Sequence, residues 1–392
     1  MRGHVRKRAK GSWTLWIDLG YDETGKRRQK TFTVKGNKRE AEAELNRILN
    51  ELNTGVYVQP AKLTVAEYLE RWLTDYAQTN VSPKTLENYT EFVRKHLIPA
   101  FGNQLLAKLT PLHIQSYYTR AVQTGRRDGK GGLSARTVLH HHRVLREALQ
   151  QAVKWQLLAR NPADAVQPPR PGRTELGVLT VDQMRTLVTV VRETRLYIPI
   201  LLAVSTGMRR GEILGLRWRD VDLAAGVISV RQSVQQTRSG LHFKEPKTQK
   251  SRRSLLLPST VVAALVAHRQ AQEQIRQQVG AAYDDRDLVV AGPDGKPFSP
   301  AAFTQAFRLL VSRTDLPQVR FHDLRHSHAT RLFQQGTHPK IVSERLGHST
   351  VGITLDVYSH VLPGMQKEAV LQIDADLREP EAADGGTLPP DG

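Results

Sequence analysis

Between Trp13 and Leu19 every second residue is apolar, with Trp13, Leu15, Ile17 and Leu19 alternating against polar neighbours. A period of two sets one side of a β-strand on a core. Asp22-Glu23-Thr24-Gly25 then supplies turn residues, Arg27–Val34 reads as a second strand dotted with basic residues, and His4–Ala9 is a candidate third. Downstream the period changes: Ala41, Leu45, Ile48, Leu49 and Leu52 fall at helical spacing, the apolar stripe of one helix. Residues 1–57 are therefore expected to form a small α+β domain, a three-stranded sheet backed by a helix. Its basic sheet face would suit a DNA major groove, which admits a β-ribbon.

From residue 62 to 167 the pattern is helical throughout. Thr64 is placed to cap one helix, and Ser82-Pro83 and Thr110-Pro111 each put proline at a first helical position. Ser134 opens a long helix reaching Trp155, and the basic, glycine-rich stretch Gly125–Gly132 reads as a loop beside a nucleic-acid backbone. Pro162–Pro171 is a proline-rich break, from which an interdomain linker is expected at 168–174. Beyond it, helices are expected near Val181–Val191 and Tyr197–Ser205, strands between Val227 and Leu257, then helices from Thr260 and from Ser299-Pro300. The predicted architecture is multidomain: the α+β unit, an all-α unit at 62–167, and a mainly α unit with a small antiparallel sheet at 175–373. From Asp374 the chain turns acidic and rich in Gly and Pro, so 374–392 is expected to be a disordered tail. No internal repeat is evident.

Composition narrows the partner. The 392 residues are too many for one ordinary domain, and 57 Lys+Arg against 38 Asp+Glu leave a formal charge of +19. A large chain with 39% hydrophobic residues and this charge is expected to meet a polyanion, nucleic acid first among them. Candidate DNA contacts are Arg27, Arg28, Lys30, Lys84, Arg126, Arg127, Lys130 and Arg136. The absence of cysteine excludes disulfides, thiolate zinc sites and cysteine nucleophiles. No apolar run reaches membrane-spanning length, and basic Met1–Lys10 is not followed by an apolar signal core, so a cytoplasmic, DNA-associated protein without a membrane partner is expected. His140, His141 and His142 cannot converge on one ion, because consecutive helical positions point about 100° apart. They are read as a DNA-facing or solvated cluster, and no metal site is expected.

Six residues carry the chemistry: Arg209, Lys247, His322, Arg325, His348 and Tyr358, at steps of 38, 75, 3, 23 and 10 residues. Arg209 follows Thr206-Gly207-Met208, an expected helix end, and Arg325 lies one helical turn after His322. Two guanidinium forks match the non-bridging oxygens of one phosphodiester and oppose the charge of a pentacoordinate transition state. The two histidines add donors able to move protons near neutral pH. Lys247 lies in Lys244–Ser254, read as a β-hairpin tip from which an ammonium could protonate a leaving 5′-oxygen; Lys244 and Lys250 are rivals on spacing. Tyr358 closes the series as nucleophile, its phenol needing neighbouring cations or a base to fall below its usual pKa of about 10. Glu212, Asp323 and Asp356 do not make a two-metal pattern, so Arg, His and Lys take the place of an ion.

The motifs T-G-M-R-R-G-E, H-D-L-R-H, L-G-H-S and V-Y-S-H stand here in the order found in tyrosine recombinases, and over roughly 175–370 the chain resembles that phage integrase family. The resemblance places the family's first arginine on Arg209 rather than Arg210, its supporting acid on Glu212, and the remaining functional residues on Lys247, His322, Arg325, His348 and Tyr358. It implies site-specific cutting and rejoining of duplex DNA through a 3′-phosphotyrosyl bond and a Holliday junction, without ATP or cofactor. It further implies a core-type DNA-binding domain at 62–167 and an arm-type domain at 1–57. The implied assembly is a monomer in solution and a homotetramer on attachment-site DNA, with Leu362–Leu377 packing on a neighbouring protomer. A host DNA-bending protein and an excision factor are the further partners. Rival readings are a type IB topoisomerase, a regulator on an inactive recombinase scaffold, and a metal-dependent nuclease.

Overall fold

The computed structural model describes residues 2–21, 26–53, 62–172, 177–245 and 252–358, together with 370, 371, 373, 374 and 377. The expected turn at 22–25 and most of the acidic tail lie outside the described residues. The chain divides into two compact units, Met1–Arg173 and Thr174–Gly392.

The first unit opens with an antiparallel sheet of order β1-β2-β3, made by β1 (Arg2–Ala9), β2 (Ser12–Tyr21) and β3 (Arg27–Lys35), followed by α1 (Lys38–Asn53). Leu15 and Ile17 are fully buried against Ala41, Leu45 and Ile48, so the alternation in β2 does set the sheet on its helix. Register decides which basic residues share the other face. Ile17 pairs with Lys30, and directly paired residues lie on one side of a sheet. Lys30 therefore sits on the α1 side, its ammonium 5.7 Å from the Phe32 ring centre. It therefore does not share the sheet face turned away from α1. Trp16 pairs with His4 and Thr31, and Thr14 with Arg6 and Thr33, so these residues make the outward face. Arg8 joins them, donating from Nη1 to Thr33 Oγ1 at 3.1 Å. The side chains of Arg27 and Arg28 lie outside the described residues.

The helical part of this unit has its own core, led by Tyr68, Trp72, Leu97, Phe101, Ile114, Tyr118 and Leu149. Its main helices are α2 (Val65–Trp72), α3 (Pro83–Phe92), α4 (Pro111–Thr124) and α5 (Ala135–Lys154). Thr64, Ser82, Thr110 and Ser134 each accept a hydrogen bond from the backbone three residues on, which satisfies one otherwise orphaned donor per helix. Two of the histidines on α5 are not solvated. His141 is fully buried and His142 nearly so, with their Nδ1 atoms 2.8 and 2.7 Å from the hydroxyls of Tyr117 and Tyr118. Burial, then the charges of His96 and His140, hold His141 at about 4, which keeps it neutral at physiological pH. Only His140 is exposed. The proline-rich break also starts later than its composition suggests. Pro162–Ala165 forms a 3₁₀ turn with Pro162 and Ala163 buried, and Asn161 ties it to the Arg146 carbonyl at 3.0 Å.

The second unit is mainly helical: α6 (Val181–Val190), α7 (Tyr197–Thr206), α8 (Arg210–Leu214), and later α9 (Ser259–Val279), α10 (Pro300–Val311), α11 (Asp323–Gln334), α12 (Pro339–Leu346) and α13 (Val351–Tyr358). Between α8 and α9 lie β4 (Val221–Asp222), β5 (Val227–Val230), β6 (Ser233–Thr237), β7 (Gly240–Lys244) and β8 (Arg253–Leu256). They form one sheet of order β4-β5-β8 and a separate β6-β7 hairpin. The two strands that flank Lys244–Ser254 are not paired with each other, since β7 pairs with β6 and β8 with β5, and the expected hairpin tip itself, residues 246–251, lies outside the described residues. Apolar α7 is buried against α11 and α9, and a core containing Leu202, Leu214, Ile228, Phe307 and Leu324 fixes the ends of the elements that carry the site.

Candidate active site

Two left-handed glycines end the helices that frame the site. Gly207 (φ 66°) stops α7 and Gly347 (φ 66°) stops α12, a backbone conformation that costs an L-residue about 1–2 kcal/mol. Both are also crowded. A Cβ on Gly207 would lie 2.7 Å from Leu346 Cδ2, and one on Gly347 would lie 2.9 Å from Arg253 Nη1. The two turns accordingly bring their carbonyls together. Arg325, on α11 and 3% exposed, donates from Nη1 to Gly207 O and from Nη2 to Leu346 O, both at 2.7 Å. Arg209, at the cap of α8, donates from Nη2 to the next carbonyl, Gly347 O, at 3.0 Å. Two guanidinium groups thus meet on consecutive carbonyls. Arg210 turns away instead, toward Thr304 on α10.

Glu212 holds this arrangement from below. It is 5% exposed and accepts from the Arg209 backbone N–H (2.9 Å), Arg209 Nη1 (2.8 Å) and Arg253 Nη2 (2.8 Å). Burial alone would push its carboxyl up, but Arg253, then Arg209, more than offset this and hold it at about 2. His348 follows Gly347, with Nδ1 2.7 Å from the buried Thr354 hydroxyl of α13. Desolvation, then the charges of Arg325 and Arg209, lower it to about 4. His322 caps α11, its ring edge-on to His326 at 5.2 Å. Desolvation, then His326 and Arg325, lower it to about 4 as well, although the residue as a whole is exposed. Both imidazoles are therefore neutral at pH 7, each with one N–H to donate and one nitrogen to accept. The backbone of Tyr358 ends α13, the helix that follows His348. Its side chain, and all of Lys247, lie outside the described residues.

Comparison with known proteins agrees with this frame. The phage integrase family model matches residues 177–364, and the phage integrase N-terminal SAM-like domain matches residues 64–121. The chain belongs to the phage integrase family, the tyrosine recombinases. A XerC-like tyrosine recombinase of Caldanaerobacter subterraneus is 28% identical over 93% of this chain and 96% of its own. An integrase of Streptomyces ambofaciens is 29% identical over 92% of each. Among solved structures, the Tn1549 transposon integrase in complex with transposon right-end DNA superposes with a TM-score of 0.67 at 21% identity, covering 80% of this chain and all of that one. A lambda integrase dimer bound to a core site gives 0.53 at 19% identity over 90% of this chain. The recombinase fold is thus established with its small N-terminal sheet and helical body. The enzyme breaks and rejoins DNA.

Sequence reasoning missed one residue of the recombinase site. Arg253 lies on β8, its side chain 6% exposed, yet it forks onto Glu212 and donates from Nε to Arg345 O at 2.7 Å. A signal for it exists: Arg253 shares the two-residue alternation of buried Leu255, which marks an arginine on an inward strand position. Among the DNA-contact candidates, Arg127, Lys130 and Arg136 are exposed. Arg126 is clamped on Asp128 at 2.6 Å, and Lys84 is paired with Glu87 at 3.0 Å. Among the described residues no three metal-ligating side chains cluster, and no helix is long and apolar enough to cross a membrane.

Proposed function

We propose that this recombinase cuts and rejoins duplex DNA at particular attachment sites, integrating or excising a phage or other mobile element, with Tyr358 as its nucleophile. The observation that carries the site is the meeting of Arg325 and Arg209 on the carbonyls of Leu346 and Gly347, directly before His348 and the helix ending at Tyr358. A phosphodiester placed against this pair receives charge-assisted donors on its non-bridging oxygens, and the neutral imidazoles of His322 and His348 add two more. The Tyr358 hydroxyl loses its proton to a neighbouring base and attacks phosphorus. The P–O5′ bond breaks, and the 5′-oxygen takes a proton, which Lys247 supplies in this reading. The resulting 3′-phosphotyrosyl ester retains the bond energy, so the 5′-hydroxyl of a partner strand reverses the step without ATP. Arginine, histidine and lysine carry the charge neutralisation, so cleavage is expected to persist in EDTA.

The domain roles follow the same reading. Residues 62–167 grip the core site with Arg126, Arg127, Lys130 and Arg136, residues 175–373 perform the chemistry, and 168–174 join them. Residues 1–57 read distal arm sites through the outward sheet face, where Arg6, Arg8, Thr14, Trp16 and Thr31 replace Lys30. Exchange proceeds in a homotetramer through a Holliday junction, assembled from monomers with a host bending protein and an excision factor. A lambda integrase tetramer bound to a Holliday junction shares the fold, with a TM-score of 0.51 at 18% identity, and supports this assembly. The test is Arg209→Ala and Arg325→Ala. Each should lose about 10²–10³-fold in cleavage, the scale of deleting one transition-state donor, while keeping DNA affinity within a few-fold. Near wild-type cleavage in either variant would remove the phosphate clamp.

A further inference from the structure

The clamp is held by a buried relay that begins one layer below it. Arg253 projects from β8 beneath the Arg345–Gly347 turn. Its Nη2 and Nη1 reach the two Glu212 oxygens at 2.8 and 3.3 Å, and its Nε reaches the Arg345 carbonyl at 2.7 Å. Glu212 in turn holds the backbone N–H and Nη1 of Arg209, whose Nη2 returns to Gly347 O at 3.0 Å. One guanidinium therefore fixes both supports of Arg209: the carboxylate on one side and the carbonyl turn on the other. At 6% side-chain exposure it is covered by Gly347 and Glu212, so it acts through them and not on substrate.

The charges make the same point. A single carboxylate facing Arg209 alone would cancel its charge and pull its donors away from a phosphate. With Arg253 on the same carboxylate, two cations share one anion, and the pair keeps a net positive charge toward the DNA. We propose that Arg253 is a positioning residue for DNA cleavage, orienting Glu212 and the Arg345–Gly347 turn so that Arg209 presents its guanidinium to the scissile phosphate. This inference rests on the assignment of Arg209 to the phosphate clamp.

Among the described residues, few charged groups surround Glu212. Arg209 faces it from the cap of its own helix and Arg253 from β8, while the Arg345 guanidinium on α12 is bonded to His328 and to the carbonyls of Ser205 and Leu256, and His348 follows the turn. The packed segments α7 and β6 carry no charged side chain, and α10 offers Thr304, which engages Arg210. Loss of Arg253 thus leaves Glu212 with one cationic partner, and its carboxyl will protonate at higher pH than in the native enzyme. Arg209 is then released as the pH falls.

The experiment uses the full-length enzyme and a nicked suicide DNA substrate carrying its attachment core, with covalent-complex formation followed from pH 5 to pH 9. Arg253→Gln should lower the cleavage rate about 10–100-fold, the range in which small displacements of a reacting group act, with DNA affinity within about twofold. The acid limb of its rate profile should move to higher pH. Arg253→Lys keeps the charge but cannot fork between Glu212 and the Arg345 carbonyl. It should fall between the two, with a smaller shift of the acid limb. If Arg253→Gln does not fold, Arg253→Lys decides alone: a reduced rate with a shifted limb supports the relay, and a wild-type rate and profile overturn it. Arg209→Ala separates the two levels of the argument. If it is inactive while a folded Arg253→Gln cleaves like wild type with an unmoved acid limb, the relay fails and the clamp stands. If Arg209→Ala itself cleaves like wild type, the clamp fails and the relay with it.

Discussion

Replacing Glu212 with glutamine removes the one buried anion between Arg209 and Arg253, and its cost can be worked from the structure. Holding this carboxyl at about 2 instead of its usual 4.5 corresponds to on the order of 3 kcal/mol of folding free energy, at about 1.4 kcal/mol per pH unit. An independent estimate agrees, since removing one partner of a buried ion pair costs about 3–5 kcal/mol. For a unit the size of Thr174–Gly392 each kcal/mol moves the melting temperature by about 2–4 °C, so a drop of roughly 6–12 °C is expected at pH 7. The sign of the pH dependence is fixed as well. The folded-state pKa lies below the unfolded one, so the contribution is complete above about 4.5 and is lost as pH falls toward 2. Differential scanning calorimetry of the full chain, with the catalytic-unit transition assigned by hydrogen exchange, should show a difference between wild type and Glu212→Gln that is constant above about pH 5.5 and narrows below 4.5. A shift under about 2 °C at pH 7, or one that persists undiminished at pH 3, would show that the two arginines do not hold Glu212 as a buried carboxylate.

Three further outcomes are expected. Gly347→Ala combines a left-handed backbone cost of about 1–2 kcal/mol with a Cβ 2.9 Å from Arg253 Nη1, whereas Gly336→Ala (φ 74°) meets no atom within 4 Å. Calorimetry should find Gly347→Ala the more destabilised and the only one of the two to slow cleavage; equal melting points and rates would contradict the crowding. His322 and His348, both held at about 4 against an ordinary 6.5, should stay neutral until the pH approaches that value in an NMR titration of the free enzyme. Because the unfolded chain protonates these groups first, the stability they contribute is lost as pH falls from about 6.5 toward 4, and a midpoint near 6.5 for either would exclude its desolvated state. Arg6→Ala and Arg8→Ala should each weaken binding to arm-site DNA and reduce the salt dependence by about one counterion, while Lys30→Ala on the helix side should not; indistinguishable effects of the three would place the DNA elsewhere.

What could be read from the chain follows from how local its cause is. Thr64, Ser82, Thr110 and Ser134 cap helices through bonds to the backbone three residues away, so sequence alone locates them. The meeting of Arg209 and Arg325 beside His348 is legible for a different reason: these residues and His322 sit in short motifs that resemble a known family. Non-local contacts were not legible. His141 and His142 sit among polar and basic neighbours, yet each is buried against a tyrosine 24 residues away. Lys30 falls on the α1 side because the side on which a strand residue falls depends on register, and Ile17 decides it from the neighbouring strand. Strand order is likewise non-local: β7 and β8, which flank Lys247, pair with β6 and β5 and not with each other. Arg253 has its partners 41 and 92 residues away, and only the folded chain brings them together.

The central claim is that Tyr358 becomes covalently joined to DNA. The most direct measurement traps the reaction on a suicide substrate, digests the protein, and maps the nucleotide-bearing peptide by mass spectrometry. The expected result is a 3′-phosphotyrosyl adduct on Tyr358 in the wild-type enzyme and site-DNA binding without any adduct in Tyr358→Phe. A DNA-linked band that survives in Tyr358→Phe, or an adduct mapped to another residue, would contradict the account.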